Sequence, residues 1–383
     1  MQDTRNRLSI ALDAKRLFNN FTGLGNYSRT LVRYLQYYYP EHEYHLFTPR
    51  VLKNKETEYF FDSGKFTIHT PSSISPLWRS YGMSRQINTL RPDIFHGLSH
   101  EIPLGIHPDI VTVVTFHDLI YELYPHQFGW WDRHLYHFKY RHSAQTAQHI
   151  IAISNSTQQD IVSMYELDAG KIEVLYQSCN DVFMYDPVDD FVSSVLPKDL
   201  RDYYLYVGSI IKRKGLLQSI MAYAKLDDKY RRPFVIVGNG DRTYIRQVKE
   251  MISYYKLDKS VYFINGVSNQ DLVQIYDKSY CLIYPSVYEG FGIPVIESLF
   301  REKPVITSCL SSLPEAAGPG AILTDPYDVD SITRAMKDIN DGKLYSRIKS
   351  EGYRYVWDKF NPETTTNAVE QFYQKIVSEK KTS

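Results

Sequence analysis

Short apolar runs of strand length alternate with amphipathic segments of helix length along almost the whole chain. No other feature of the sequence restricts the fold as much. Residues 7–12, 44–48, 94–96, 110–116 and 149–154 form one set of runs. Residues 203–208, 233–238, 261–265, 279–285, 304–308 and 321–323 form a second. Helical patterns lie between them. In the first, from Asn26 to Tyr38, the side chains of Tyr27, Thr30, Leu31, Tyr34 and Leu35 share one face. Strands alternating with helices predict parallel sheets, because a parallel connection needs a crossover long enough to hold a helix. Two such sets predict an α/β protein of two parallel-sheet domains, with strand C-termini and helix N-termini meeting at a central cleft that suits a large ligand. The break between the sets falls in the acidic, turn-prone stretch Met184–Asp190 and in Leu196-Pro197-Lys198-Asp199. Domains are predicted over 1–190 and 191–360. A third segment, 361–383, is one amphipathic helix with Val369, Phe372, Tyr373 and Ile376 on its apolar face, followed by a frayed tail.

Composition serves mainly to exclude. The 383 residues carry 44 Lys and Arg against 44 Asp and Glu, and zero net charge argues against a nucleic-acid partner. Cys179, Cys281 and Cys309 have no C-x-x-C spacing and cannot all pair, which favours a reducing compartment and small buried thiols. No apolar run reaches the roughly 18–20 residues of a membrane span, and Met1–Arg5 lacks the apolar core of a signal peptide. A cytoplasmic protein is expected. The 33 tyrosines have no explanation at this level.

Four stretches carry chemistry. In Tyr284–Glu297 a strand ends at Pro285, Gly290 and Gly292 relieve the backbone, and Pro294 suits a first helical turn. Such a turn offers backbone N–H groups and the positive end of a helix dipole to an anion. Glu289 precedes the turn and Glu297 lies one turn into the helix, where they could meet hydroxyl groups; solvated glutamates are the alternative. In Tyr206–Gly215, the cations Lys212, Arg213 and Lys214 follow the strand-ending Gly208 and could neutralise a diphosphate, or form a solvated basic turn. His117 ends an apolar strand and could point into a cleft or satisfy a backbone carbonyl. The loop Asn20–Tyr27, with Gly23 and Gly25, is only superficially a dinucleotide fingerprint, since Ser28 occupies the third glycine position. His134, His137, His142 and His149 crowd a helical segment rich in aromatics. Without nearby cysteines or a carboxylate pattern they predict packing and not a metal site. There is no G-x-S-x-G, H-E-x-x-H or Walker sequence.

Taken together these stretches resemble glycosyltransferase family 4, whose members are retaining, nucleotide-sugar-dependent enzymes of the GT-B fold. The resemblance spans nearly the whole chain. It includes Ile10–Leu17 with the Gly23-Leu24-Gly25 loop, His117-Asp118, Ala152–Thr157, Gly208–Gly215, Val235–Gly240, the E-x7-E pair Glu289 and Glu297, Pro304–Ser308 and Ser311–Glu315. It implies catalytic roles for His117, Glu289, Arg213 and Lys214. Arg213 and Lys214 would bind the donor diphosphate, Glu297 the ribose hydroxyls, and Glu289 with Gly290, Phe291, Gly292 and Ile293 the donor sugar and phosphate. His117 would lie near the transferred sugar, Gly23 and Gly25 would face the reaction centre, and Gly266 and Val267 would sit beside the base. Gly208, Ser209, Lys212 and Gly238 complete the donor side. Many relatives have Arg where this chain has Ser209, so any of the three cations at 212–214 could reach phosphate.

The resemblance further implies no cofactor and no metal, a C-terminal helix crossing back to the first domain, and a hexose donor. GDP-mannose is favoured, in surface polysaccharide synthesis, with UDP-glucose or UDP-N-acetylglucosamine as alternatives. A non-catalytic sugar-nucleotide sensor or partner subunit is the alternative of another class. The acceptor would be a glycan or a lipid-linked glycan. Ser75–Tyr81 and Phe128–Trp131, which combine aromatics and cations, are candidate contacts to the acceptor or, peripherally, to the inner membrane face.

Overall fold

The computed structural model describes residues 7–72, 77–125, 129–185, 195–197 and 199–382. The chain divides into two compact units, Met1–Ser178 with Phe360–Ser383, and Cys179–Lys359. The division falls before the predicted break at 190. Phe183 packs edge-on against Tyr276, with ring centres 5.8 Å apart, and this draws the stretch after Ser178 into the second unit. Residues 186–194 and Lys198 of the predicted break lie outside the described residues, as do Ser75, Pro76 and Phe128 of the candidate acceptor segments.

The first unit is built on seven parallel strands: β1 (Ser9–Asp13), β2 (Glu43–Phe47), β3 (Thr67–His69), β4 (Ile94–Gly97), β5 (Val111–Phe116), β6 (His149–Ala152) and β7 (Ile172–Val174). Their order is β3-β2-β1-β4-β5-β6-β7. Every residue of β4 and β5 is buried, as expected where helices cover both faces of a parallel sheet. The strands β3 and β7 are absent from the sequence reading. Each is a three-residue edge strand with at most one buried residue, too little to leave an apolar run. The C-terminal helix Pro362–Thr382 belongs to this unit and buries Val369, Phe372, Tyr373 and Ile376, the face expected from the sequence.

The second unit holds six parallel strands: β8 (Tyr203–Val207), β9 (Phe234–Val237), β10 (Val261–Ile264), β11 (Ser279–Tyr284), β12 (Val305–Ser308) and β13 (Ala321–Thr324). They are ordered β10-β9-β8-β11-β12-β13. In both sheets the chain runs outward from a central strand and then returns to its other side. The reversal lies between β1 and β4 in one unit and between β8 and β11 in the other. Crevices at the C-terminal ends of such strand pairs are where open α/β sheets bind ligands.

Tyrosine abundance now has a partial explanation. Tyr203, Tyr204, Tyr206, Tyr223, Tyr276, Tyr284 and Tyr373 are among the largest fully buried side chains. Their hydroxyls find partners in the core: Tyr203 donates to the Ile275 carbonyl at 2.6 Å and Tyr223 to that of Arg232 at 2.8 Å. Two expectations are corrected. Cys179 and Cys281 are buried, but Cys309 is exposed. The helix Trp130–Thr146 does not simply pack its aromatics, because Trp130, Trp131 and Phe138 are exposed and only one face, with Tyr140 and Ala144, enters the core.

Candidate active site

In the second unit, the loops after β8 and β11 close on each other across the reversal point. Lys212–Lys214 form a single 3-10 turn that stops at Gly215, whose φ of 71° is left-handed. A Cβ there would lie 2.3 Å from the Pro285 carbonyl oxygen, so glycine permits the two loops to touch. The Arg213 carbonyl accepts from Val287 N–H at 2.9 Å, which fastens the contact.

This approach turns two of the three cations inward. Lys214 Nζ pairs with Glu289 Oε1 and also donates to the Tyr284 hydroxyl at 2.6 Å, while Tyr284 donates to Glu289 Oε1 at 2.9 Å. Arg213 Nη1 lies 3.5 Å from Glu289 Oε1 and donates to the Tyr288 carbonyl. The side chains of Arg213, Lys214 and Glu289 are 9%, 12% and 12% exposed, whereas Lys212 is exposed. Burial alone would raise the Glu289 pKa, but Lys214 and Arg213 outweigh it and hold the carboxyl below its ordinary value. Sequence spacing assigned the glutamate and the cations to separate tasks; the fold joins them in one buried ion network.

Ser311 and Ser312, which motif reasoning left without a role, hold the Glu289 backbone. Ser311 Oγ accepts from Glu289 N–H at 2.9 Å, and Ser312 Oγ donates to the carbonyls of Glu289 and Phe291 at 2.9 and 2.8 Å. Gly290 and Phe291 lead to Gly292 and the helix Ile293–Phe300, with Pro294 in its first turn. Glu297, 9% exposed on that helix, accepts from the Tyr276 hydroxyl at 3.0 Å. Burial pushes its pKa up to about 7, and the tyrosine offsets only part of that.

Gly208 and Ser209 follow β8, and Gly208 N–H donates to Val237 at 3.0 Å. Gly238 follows β9. Gly266, exposed, and Val267, half-buried, follow the edge strand β10 and are not part of the ion network.

In the first unit, His117 immediately follows β5 and is 5% exposed. Its Nε2 is 2.9 Å from the Leu98 carbonyl, which can only accept, so Nε2 carries the proton. Burial, with His100 alongside, lowers its pKa to about 3. The ring is therefore neutral at physiological pH, with Nδ1 as a hydrogen-bond acceptor. His100, missed in the sequence, positions it. At a φ of 57°, its Nε2 accepts the His117 backbone N–H at 3.1 Å while its ring stacks on Tyr140 at 4.4 Å. Nothing but the density of histidine in this stretch could have flagged it.

The sequence reading places Gly23 and Gly25 in a loop, whereas they form the first turn of the helix Gly23–Tyr38. Asn20 Oδ1 accepts from Thr22 and Gly25 N–H groups and starts the helix early. A Cβ at Gly25 would sit 1.7 Å from the Asn20 carbonyl oxygen, so this glycine is required by close approach.

Beside β1 lies a second buried ion network that spacing did not reveal. Arg79 pairs with Asp13 at 2.6 Å and with Glu101 at 2.7 Å, and Lys139 reaches Glu101 at 3.2 Å. These groups, with Leu135 and Phe138, line a cavity of about 210 Å³. Of the candidate acceptor segments, Arg79 belongs to this network, Trp78 is buried, and Tyr81, Trp130 and Trp131 are exposed. Among the described residues, no group of three or more His, Cys, Asp or Glu side chains is placed to hold a metal ion.

Two Rossmann-like units with all-parallel sheets and a cationic turn facing a helix N-terminus define the GT-B class of glycosyltransferases. Residues 189–355 match the family described as Glycosyl transferases group 1, and residues 21–180 match Glycosyltransferase Family 4. The O-antigen chain mannosyltransferase RfbU of Salmonella typhimurium is 30% identical over 260 residues, covering 68% of each chain. The O-antigen chain mannosyltransferase B of Escherichia coli is 27% identical over 330 residues, covering 82% of this chain and 85% of that protein. The crystal structure of a glycosyltransferase from Rickettsia africae aligns with a TM-score of 0.72 at 17% identity, over 97% of this chain and 99% of that one. The chain belongs to glycosyltransferase family 4 and is a glycosyltransferase.

Proposed function

We propose that the enzyme moves mannose from GDP-mannose to a glycan or lipid-linked glycan in surface polysaccharide synthesis, with retention at the anomeric carbon and no metal or cofactor. The observation that carries this reading is the meeting of Arg213, Lys214 and Glu289 beside the helix N-terminus at Ile293. Lys212, Arg213 and Lys214 against Glu289 leave two positive charges, which match the two negative charges of a sugar-nucleotide diphosphate. Breaking the anomeric bond builds negative charge on that diphosphate. Arg213, Lys214 and the helix dipole are already oriented to receive it, so little reorganisation is needed during reaction. Glu289 holds the donor sugar and keeps the two cations in place. Glu297 accepts from the ribose hydroxyls, Gly208, Ser209 and Gly238 line the donor side, and Gly266 and Val267 sit beside the base. His117, neutral and with Nδ1 open to accept, binds a hydroxyl of the transferred sugar, near Gly23 and Gly25. The acceptor hydroxyl attacks from the face the diphosphate leaves, and a phosphate oxygen takes its proton.

The acceptor occupies the first-unit cavity, where Asp13 and Glu101 meet sugar hydroxyls and Leu135 and Phe138 meet an apolar portion. The exposed Trp130 and Trp131, on the same helix as the exposed Arg133 and Arg141, suit peripheral contact with an anionic bilayer. Mannose rests on the relatives named as mannosyltransferases. Calorimetric titration with GDP, UDP and their hexose conjugates tests the donor. GDP-mannose should bind most tightly, and preference for a UDP-sugar would replace this assignment. Donor hydrolysis without acceptor separates an enzyme from a sensor, which should release no free sugar.

A further inference from the structure

Polar side chains in the core of the first unit form a chain that no sequence motif announced. The Tyr373 hydroxyl, on the C-terminal helix, lies 2.5 Å from His96 Nδ1. His96 Nε2 lies 2.7 Å from Thr115 Oγ1, which in turn lies 3.2 Å from the Tyr27 hydroxyl. Tyr373, His96 and Thr115 are fully buried and Tyr27 is 7% exposed. The Tyr27 ring stands edge-on to His117, centre to centre 4.5 Å at 84°. We infer that Tyr373 is a positioning residue for His117, acting through His96, Thr115 and Tyr27. The inference rests on the reading of His117 as a sugar-binding group.

Burial first, and His117 second, lower the His96 pKa to about 3, so the ring is neutral, with one nitrogen donating and the other accepting. If Tyr373 donates to Nδ1, then Nε2 donates to Thr115; if Nδ1 donates to Tyr373, then Thr115 donates to Nε2 and accepts from Tyr27. Either way, removing the Tyr373 hydroxyl leaves a ring nitrogen unpaired in a dry core, a costly state that a turn or shift of His96 relieves. Close packing passes such a shift to Thr115, on β5 two residues before His117, and to the Tyr27 ring against which His117 rests. Tyr373 also sits on the segment that returns from the second unit through Asn361, so the chain couples that segment to the neighbour of His117.

Tyr373→Phe keeps the ring and removes only the hydroxyl. It should lower kcat roughly 10- to 100-fold with the donor KM unchanged, as expected when a sugar contact that counts mainly in the transition state is displaced. It should also move the His117 ring nitrogen resonances in the NMR spectrum. Ile376→Ala, on the same helix and outside the chain, should reduce thermal stability yet leave kcat and those resonances in place. Normal kcat in Tyr373→Phe, or equal losses in both variants, would overturn the relay. A His117→Ala enzyme with normal turnover would overturn the relay together with the reading of His117. Inactive His117→Ala beside unaffected Tyr373→Phe would remove the relay alone.

Discussion

The reversal points of the two sheets are furnished in opposite ways. In the second unit the strand ends carry an excess of positive charge, with Arg213 and Lys214 held against one carboxylate, Glu289. In the first unit the ions at the end of β1 pair among themselves around Arg79, and His117, which follows β5 one strand beyond the reversal, is neutral and hydrogen-bonded to a carbonyl. One topology therefore supports two chemistries. An unbalanced, pre-oriented cation cluster suits a diphosphate that gains charge during reaction. A neutral acceptor suits a hydroxyl that gains no charge during reaction.

The largest effect is expected at the cation cluster. Glu289→Ala should cut turnover roughly a thousandfold, since it removes a sugar contact and releases both cations from their set positions. Steady-state kinetics checks this, with circular dichroism to verify the fold; near-normal turnover would take Glu289 out of the site. On the other side, Arg79→Ala should destabilise the protein by about 3 kcal/mol, the lower end for breaking a buried pair, because Asp13 and Glu101 lose their partner. Denaturant unfolding measures that loss. A change below about 1 kcal/mol would mean the Arg79 network acts like a surface pair.

Glu297 offers the smallest and most specific effect. Its pKa of about 7 means the free protein holds this carboxyl largely protonated below neutrality. Ribose hydroxyls donate to the ionised form, so donor binding should release a proton and strengthen roughly tenfold between about pH 6 and pH 8. The same raised pKa makes the ligand-free protein lose stability as pH rises from the ordinary carboxyl value of 4.5 to about 7. Titration in buffers of different ionisation enthalpy reads the proton, and Glu297→Gln should abolish both dependences. Equal affinity across that range in the native protein would mean Glu297 does not meet the donor as an anion.

Much of this was legible in the sequence, for reasons specific to particular residues. Central strands such as β5 announce themselves because both faces are buried and every position is apolar or small. The edge strands β3 and β7 do not, since pairing on one side needs no apolar run. Glu289, Arg213 and Lys214 stand out by type and spacing, yet their contact depends on Gly215 meeting Pro285, which only the folded loops reveal. His100 and Glu101 were missed, and Arg79 was read only as part of a candidate acceptor segment, because they work through long-range partners: a backbone N–H, a helix lysine and a strand-end carboxylate. The exposed Trp130 and Trp131 were read both as helix packing and as acceptor or membrane contacts, because composition does not tell which face of a helix turns outward.

If the charge at the second reversal point holds a nucleoside diphosphate, its removal must weaken binding of GDP. Calorimetric titration of GDP into the native enzyme and into Arg213→Ala, Lys214→Ala and the double variant tests it most directly. Each single change should weaken binding roughly 10- to 100-fold, the scale of a lost charge-assisted hydrogen bond, and the double change should weaken it further. Unchanged affinity in both single variants would contradict the account.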